Sequence, residues 1–137
     1  EPLSLLFINV DYLKLYNEHY GRLEGDEVLR ELAMVLHQAL LRPVDVVARY
    51  GGDQFAVILP ETDGLGAELV ATRMRENVDA LKRAHHPSPV SDQLTISIGG
   101  ATILPRLTQK TVELTDKAER ALEEAKRAGR NVSCCRS

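Results

Sequence analysis

Polar side chains stand at two places where the chain is expected to turn. Asn9 and Asp11 follow an apolar run, and Asp53 and Gln54 follow a pair of glycines. Oxygen ligands of this kind suit Mg²⁺, which usually takes one or two carboxylates together with substrate phosphates. Phosphoryl transfer depends mainly on metal, positioning and charge. If the two turns meet, the sequence predicts a nucleotide-phosphate site; the alternative is that Asp53 only forms a turn and Asp11 only caps a helix.

The hydrophobic pattern predicts the elements that would bring these turns together. An almost unbroken apolar run over residues 3–8 is typical of a strand buried on both faces. A short helix is expected over about residues 12–18, and Asp26 is predicted to cap a long helix that runs to about residue 41, before Pro43. Two apolar segments on either side of the glycine pair predict a β-hairpin, because glycine accepts positive φ.

The second half of the chain alternates helix and strand. His85 and His86 fall in a polar loop and are expected at the surface. The Gly99-Gly100 pair predicts a bulge or bend in a strand, and Gly129 is expected to end the last helix. The predicted elements are a helix over 65–81, a loop over 82–92, a strand over 93–103, a helix over 111–128 and a short strand over 131–134.

This order of elements predicts the fold class. A strand, two helices, a hairpin, a helix, a strand and a helix form a split β-α-β arrangement. We expect an α/β fold of the α+β sandwich type, with a ferredoxin-like or polymerase-palm-like sheet, a central antiparallel hairpin and flanking helices. The length of 137 residues favours one domain over residues 1–137.

Composition excludes several classes of function. A formal net charge of −3 argues against a broad nucleic-acid surface. The chain has no apolar run near the roughly 20 residues that a membrane helix needs, so we expect no membrane contact by this domain. Cys134 and Cys135 are adjacent and unsuited to pairing with each other, which favours a reducing cytoplasm. Because the chain opens almost directly in a strand, we expect a piece of a longer protein.

Several segments resemble one known family. The stretch Arg49-Tyr50-Gly51-Gly52-Asp53-Gln54-Phe55 resembles the signature of the GGDEF diguanylate cyclases, which join two GTP molecules into cyclic-di-GMP. Residues 9–17 are similar to the family's Asp-x-Asp-x-Phe-Lys-x-x-Asn segment. Further matches follow in order and with matching gaps at Gly21, Gly25-Asp26, residues 94–99, residues 121–126 and residues 129–131.

The resemblance implies nucleotide-binding roles for particular residues. Asn17 and Asp26 match guanine-reading positions, although a loop-capping Asn and an N-cap Asp are the alternatives. Lys14 matches a phosphate-facing lysine. Lys126 and Arg130 match cations that hold the triphosphate, while their place near a helix C-terminus offers a simpler explanation.

The resemblance also implies a metal site, and here the chain departs from the family. Asp53 matches a residue that binds metal and accepts the 3′-hydroxyl proton, and the Val10 carbonyl and Asp11 are further candidate ligands for Mg²⁺ or Mn²⁺. Asn9 stands where the family has a metal-binding Asp, and Gln54 stands where it has Glu. Both replacements delete a negative charge, so we expect a weakened metal site and impaired catalysis.

A second ligand site is implied by the residues before the hairpin. Arg42 and Asp45 match the RxxD pattern of the family's inhibitory product site, and Arg73 stands where a second arginine is expected. Arginine can bind a phosphate through two hydrogen bonds and stack on a guanine ring. By itself such a tetrapeptide is more often a solvated helix end.

The family resemblance implies partners as well. The parent reaction takes GTP and needs a homodimer, because each domain presents one GTP to the other. Attached sensory or phosphodiesterase domains are expected, as is a cytoplasmic place for this domain even where the full-length protein is membrane-anchored. The family's opening N-terminal helix has no counterpart in these residues. The alternative function is a catalytically inactive module that binds GTP or cyclic-di-GMP and regulates a neighbouring domain; a purely structural dimerisation domain is a further one.

Overall fold

A computed structural model describes residues 1–105 and 111–136. In chain order the elements are β1 (Leu3–Val10), α1 (Leu13–Tyr20), α2 (Arg22–Gln38), β2 (Val46–Arg49), β3 (Gln54–Pro60), α3 (Gly64–Leu81), β4 (Ile96–Ile103), α4 (Thr111–Arg127) and β5 (Ser133–Arg136). None of the helices in these ranges is long and apolar enough to cross a lipid bilayer.

One five-stranded sheet organises the molecule. Its strand order is β2-β3-β1-β4-β5, with β1 antiparallel to both β3 and β4 and with β5 parallel to β4. The predicted α/β, palm-like fold is therefore confirmed. The β2–β3 hairpin is central in the chain order, but within the sheet it fills one side and β1 is the middle strand.

The apolar run at the start of the chain is buried on both faces of the sheet, as predicted. Leu6, Ile8 and Val10 belong to the larger core, which includes side chains of α1, α2 and α3. Leu5 and Phe7 belong to a second core on the opposite face, where they pack with α4. Alternate residues of one strand therefore serve two helical layers, which explains why β1 lacks a polar face.

The bulge expected at Gly99-Gly100 is wrong. Strand β4 pairs with β1 without interruption, with Phe7 opposite Gly99 and Leu6 opposite Gly100. The reason for glycine is the helix that covers this face: a Cβ added at Gly99 would lie 1.9 Å from the backbone nitrogen of Leu122. Glycine lets α4 approach the sheet more closely than any side chain would allow.

Two further expectations need correction. Helix α2 begins at Arg22 after Gly21, whose φ is 95°, so Asp26 lies inside the helix and does not cap it. His85 is fully buried and its Nε2 lies 3.0 Å from the Tyr12 carbonyl oxygen, so its predicted place at the surface is wrong.

Gly129 ends helix α4, as the sequence predicts. Gly129 has a φ of 108° and its N–H bonds to the Lys126 carbonyl, while the Arg130 N–H bonds to the Ala125 carbonyl. This pair of bonds is the Schellman arrangement that ends a helix at glycine. The turn delivers Arg130 and Asn131 to the end of β1.

Candidate functional site

The two turns that carry polar residues meet at one edge of the sheet. The Val10 N–H donates to the carbonyl oxygen of Asp53 at 3.2 Å, and Asn9 pairs with Gln54 in the β1–β3 register. Gly51, with a φ of 77°, allows the tight turn between the paired residues Tyr50 and Gln54. The two turns that carry the polar residues therefore do meet, as a nucleotide-phosphate site requires.

A cleft of about 550 Å³ opens beside this junction. Four side chains predicted from the sequence line it: Lys14, Asn17, Asp26 and Asp53. They come from α1, α2 and the hairpin turn, which are separate elements held together by the sheet. The other lining residues are Leu13, Glu18, Arg22, Leu29, Arg49 and Gly52.

One end of the cleft presents an amide and a carboxylate. Asn17 lies against Gly25, where an added Cβ would come within 1.7 Å of the Asn17 Oδ1. That oxygen is buried and has no hydrogen-bond partner among the described residues. Asp26 follows Gly25 in α2, and its side chain is exposed. Both residues line the cleft, so the Asn17 amide N–H and the Asp26 carboxylate can offer a donor and acceptors to the edge of a planar ligand.

At the other end, an amide holds the candidate catalytic carboxylate. The Asn9 Nδ2 donates to the Asp53 Oδ2 at 3.1 Å and lies 3.5 Å from the Asp53 carbonyl oxygen. Asn9 is 7% exposed, whereas Asp53 is exposed on the turn. One oxygen of the Asp53 side chain is thus engaged within the protein.

Asp11 forms a buried structural network. It is fully buried, and its two oxygens accept from the Ser97 hydroxyl at 2.6 Å, the Thr95 hydroxyl at 2.7 Å and the Asn131 N–H at 3.1 Å. A carboxylate with both oxygens engaged in this way joins β1, β4 and the turn after α4. These contacts give Asp11 a structural role, with both of its oxygens already engaged.

The cations at the end of α4 lie outside the residues that line the cleft. The Arg130 guanidinium carbon is 4.4 Å from the centre of the Tyr12 ring, and Nη1 is 3.2 Å from the Tyr12 hydroxyl. The Arg130 Nε is 3.9 Å from an oxygen of Asp11. Arg130 is therefore placed by protein contacts, and neither it nor Lys126 is among the lining residues.

Sequence reasoning missed two cations of the cleft, Arg22 and Arg49. Arg22 lies four residues before Asp26 in α2, a spacing that puts both on one helix face. That spacing could have revealed Arg22 once the helix start was placed correctly. Arg49 donates from Nη2 to the Gly52 carbonyl at 2.8 Å, and only the folded turn shows this contact.

The family described as diguanylate cyclase, GGDEF domain, matches residues 1–132. This chain belongs to the GGDEF domain family.

Named relatives agree with this assignment. The chain is 36% identical over 131 residues to diguanylate cyclase A of Treponema denticola, which covers 96% of this chain and 34% of that protein. It is 37% identical over 135 residues to the response regulator PleD of Caulobacter vibrioides, covering 96% of this chain and 29% of that protein. The chain thus spans about a third of the length of these relatives.

Solved structures share the fold. The GGDEF domain of DgcB from Caulobacter crescentus, in complex with c-di-GMP, superposes with a TM-score of 0.85 at 28% identity, covering 98% of this chain and 77% of that one. The active GGEEF domain of a diguanylate cyclase from Vibrio cholerae gives a TM-score of 0.82 at 29% identity, covering 98% of this chain and 83% of that one. The chain accordingly has the fold of a GGDEF domain.

The residues of this GGDEF domain are a poor fit for the divalent cation that membership in the family implies, because amides stand at positions 9 and 54. Asn9 directs an N–H towards Asp53, and Gln54 is an uncharged amide. Among residues 1–105 and 111–136, no group of three or more His, Cys, Asp or Glu side chains could hold a metal ion. Magnesium gives up its water reluctantly and needs charged oxygen ligands close by. In the donor set at Asn9, Val10 and Asp53, only the Asp53 carboxylate carries charge, and one of its oxygens already accepts from Asn9.

The residues of the RxxD pattern form an ion pair beside a second cavity. The Arg42 Nη2 donates to Asp45 Oδ1 at 2.7 Å and to the Thr62 hydroxyl at 2.8 Å, and it also contacts the Pro60 carbonyl. The hydrogen bond to Asp45 raises the pKa of Arg42 above its ordinary value. Arg42 and Asp45 line a cavity of about 340 Å³, whereas Arg73 donates to the Ala39 carbonyl at 3.3 Å and lies on an adjoining surface.

Proposed function

We propose that the cleft of this GGDEF domain binds a guanine nucleotide, and that its capacity to condense two GTP molecules into cyclic-di-GMP is impaired. One observation carries the proposal: Lys14, Asn17, Asp26 and Asp53, which come from α1, α2 and the β2–β3 turn, line a single cleft of about 550 Å³. That volume lies within the range of small-molecule sites.

Base recognition follows from the chemistry of the first end of the cleft. The Asp26 carboxylate accepts from both N1–H and N2–H of guanine. Adenine has no donor at either position, so the site rejects it. The Asn17 side-chain N–H completes the recognition of the base by donating to guanine O6 or N7. Lys14, exposed in the first turn of α1, binds phosphate.

Impaired turnover follows from the end of the cleft that holds Asn9 and Asp53. In the parent reaction, two domains face each other and the 3′-oxygen of each GTP attacks the α-phosphorus of the other, with diphosphate leaving. Asp53 accepts the 3′-hydroxyl proton. Here the Asn9 amide engages one Asp53 oxygen, and two carboxylates of the family pattern are missing. A loss of about 3 kcal/mol in transition-state stabilisation lowers the rate about a hundredfold.

The binding part of the proposal is tested with matched variants of α2. Calorimetry should show GTP binding by the chain, and Asp26→Asn should weaken it at least about tenfold, because the lost acceptor leaves guanine N–H groups unpaired. Glu27→Gln is the control, since Glu27 is exposed and pairs only with Arg30 among the described residues. Equal affinity of Asp26→Asn and wild type for GTP would exclude Asp26 as a guanine-binding residue.

The turnover part is tested by product analysis. Incubation with GTP and Mg²⁺ or Mn²⁺, followed by nucleotide chromatography, should yield little cyclic-di-GMP. The double variant Asn9→Asp with Gln54→Glu should raise the rate by about a hundredfold if the missing charges limit it. An unchanged rate would show that the impairment lies elsewhere.

A second candidate function has its own supporting observation. The Arg42–Asp45 pair, held at 2.7 Å beside its cavity, offers the remaining guanidinium N–H groups to a phosphate or a guanine edge. We propose cyclic-di-GMP as the ligand of this site, so that the domain also acts as a sensor of that nucleotide. Arg42→Ala should abolish cyclic-di-GMP binding in calorimetry, and retained binding would exclude this site.

The proposed assembly extends beyond one chain. Condensation requires a homodimer, because one domain presents one GTP. Since the chain spans about a third of its relatives, attached sensory or phosphodiesterase domains are part of the proposal. So is a cytoplasmic setting, where GTP is available. Cross-linking of the full-length protein with and without GTP tests the dimer.

A further inference from the structure

We propose that the cleft binds its guanine nucleotide as the free anion, without a divalent cation, and that Lys14, Arg22 and Arg49 supply the positive charge. This inference rests on the guanine-nucleotide site proposed above. It adds the form of the ligand and two binding residues, Arg22 and Arg49, that the sequence did not indicate.

The Asn9–Asp53 hydrogen bond opposes a cation at the turn. The Asn9 amide presents its N–H to the Asp53 oxygen at 3.1 Å, so the positive end of a dipole already faces the carboxylate. A cation would have to displace that N–H and turn the amide around. Asn9 is only 7% exposed, so the displaced N–H would lose a partner that water cannot readily replace.

The lining of the cleft is balanced without a metal. Lys14, Arg22 and Arg49 contribute three positive charges, and Glu18, Asp26 and Asp53 contribute three negative ones. Carboxylates at positions 9 and 54 would shift this region by two further negative charges. A phosphate then would meet net repulsion unless a divalent cation offset it. With amides at both positions, the phosphate meets a neutral cleft in which basic groups can turn towards it.

The three cations have donors to spare. No described residue forms an ion pair with Lys14 or Arg22, and both side chains are exposed. Arg49 donates one N–H to the Gly52 carbonyl, and its other four N–H donors remain available to a ligand. That contact also fixes the guanidinium beside the Gly52–Asp53 turn. Arginine suits both phosphate and the O6/N7 edge of guanine, so Arg22, one helical turn from Asp26, can contact either.

The test compares GTP affinity with and without metal. Calorimetry on the whole chain uses GTP in buffer with EDTA and in buffer with Mg²⁺ or Mn²⁺, with ATP as the specificity control. Because Mg²⁺ complexes the triphosphate in solution and the cleft takes the free anion, GTP should bind at least as tightly in EDTA as with Mg²⁺ or Mn²⁺. Arg22→Gln and Arg49→Gln should each weaken GTP binding about fivefold in EDTA, whereas Arg30→Gln, on α2 but outside the cleft, should leave it unchanged.

A charge-restored variant makes the test specific. Asn9→Asp with Gln54→Glu should acquire metal dependence, with Mg²⁺ tightening GTP binding about tenfold, while circular dichroism verifies that it folds. If Mg²⁺ tightens GTP binding to the wild type by more than about twofold, or if the variant gains no metal dependence, this inference fails and the guanine site stands. If GTP binds under neither condition, the proposed function fails and this inference fails with it.

Discussion

The Asn17 amide rests directly on the Cα of Gly25, so that a Cβ at position 25 would lie 1.7 Å from Oδ1 and 2.8 Å from Cγ. The glycine therefore serves the side chain of another helix and has no special backbone angle of its own. Asn17 cannot keep this position if residue 25 gains even a methyl group. The pair fixes the end of the cleft where we place the base.

Gly25→Ala should consequently move Asn17 and weaken GTP binding about tenfold or more, since one base contact is lost. Helical propensity should offset part of the stability cost, because alanine favours a helix interior over glycine by about 1 kcal/mol. Calorimetry and thermal unfolding report the two effects separately. Ala33→Gly, elsewhere in α2, is a control for helix propensity. GTP binding at wild-type strength in Gly25→Ala would contradict the role given to Asn17.

Asp11→Ala should destabilise the fold by about 3 kcal/mol, because buried hydroxyl and N–H donors of Thr95, Ser97 and Asn131 lose their acceptor. Urea unfolding measures the change in free energy. Asp92→Ala, which removes an exposed carboxylate, should cost little. A cost below about 1 kcal/mol for Asp11→Ala would show that the network is not structural.

Tyr12 and Arg130 should be energetically coupled. Tyr12 has a φ of 56°, uncommon for a tyrosine, and its ring and hydroxyl both contact the Arg130 guanidinium. Unfolding free energies of wild type, Tyr12→Leu, Arg130→Ala and the double variant should give an interaction energy of about 1 kcal/mol. Costs that add within about 0.3 kcal/mol would mean that the stacking contributes nothing.

The Cys135 thiol gives a dependence on pH. Burial raises its pKa from 9.0 to about 11, so the folded state keeps a proton that the unfolded state loses between those values. The thiol's contribution to stability is then complete below pH 9 and is lost as pH rises towards 11. Urea unfolding across this range should show a steeper decline for wild type than for Cys135→Ser, and parallel curves would contradict the assignment.

Local pattern predicted those parts of the fold that depend on local chemistry. The double-faced burial of β1, the glycine hairpin and the Gly129 helix end all follow from residue type and spacing. The sequence sets the contact between the end of β1 and the Asp53 turn as a condition for the site, and the β1–β3 register meets it. Lys14, Asn17, Asp26 and Asp53 were identified from the family resemblance, and the fold brings them together.

Long-range contacts account for the failures. Glycine is required at position 99 because the backbone of Leu122 on α4 packs against it. The residues around position 99 do not predict that contact. His85 sits in a polar segment, yet it packs edge-on against Tyr16 and reaches the Tyr12 carbonyl. Helix α2 begins directly after Gly21, earlier than a cap at Asp26 predicts. Because Arg22 was not placed in the helix, it was not predicted to line the cleft. For Gly99 and His85 a partner distant in sequence decided the outcome, whereas the start of α2 is set locally by Gly21.

The most direct measurement of the central claim is calorimetric titration of this chain with GTP and, in parallel, with ATP. The account predicts saturable heat with GTP and none with ATP, because the Asn17 and Asp26 end of the cleft needs the N1–H and N2–H donors of guanine. Equal binding of the two nucleotides, or no heat from GTP, would contradict it.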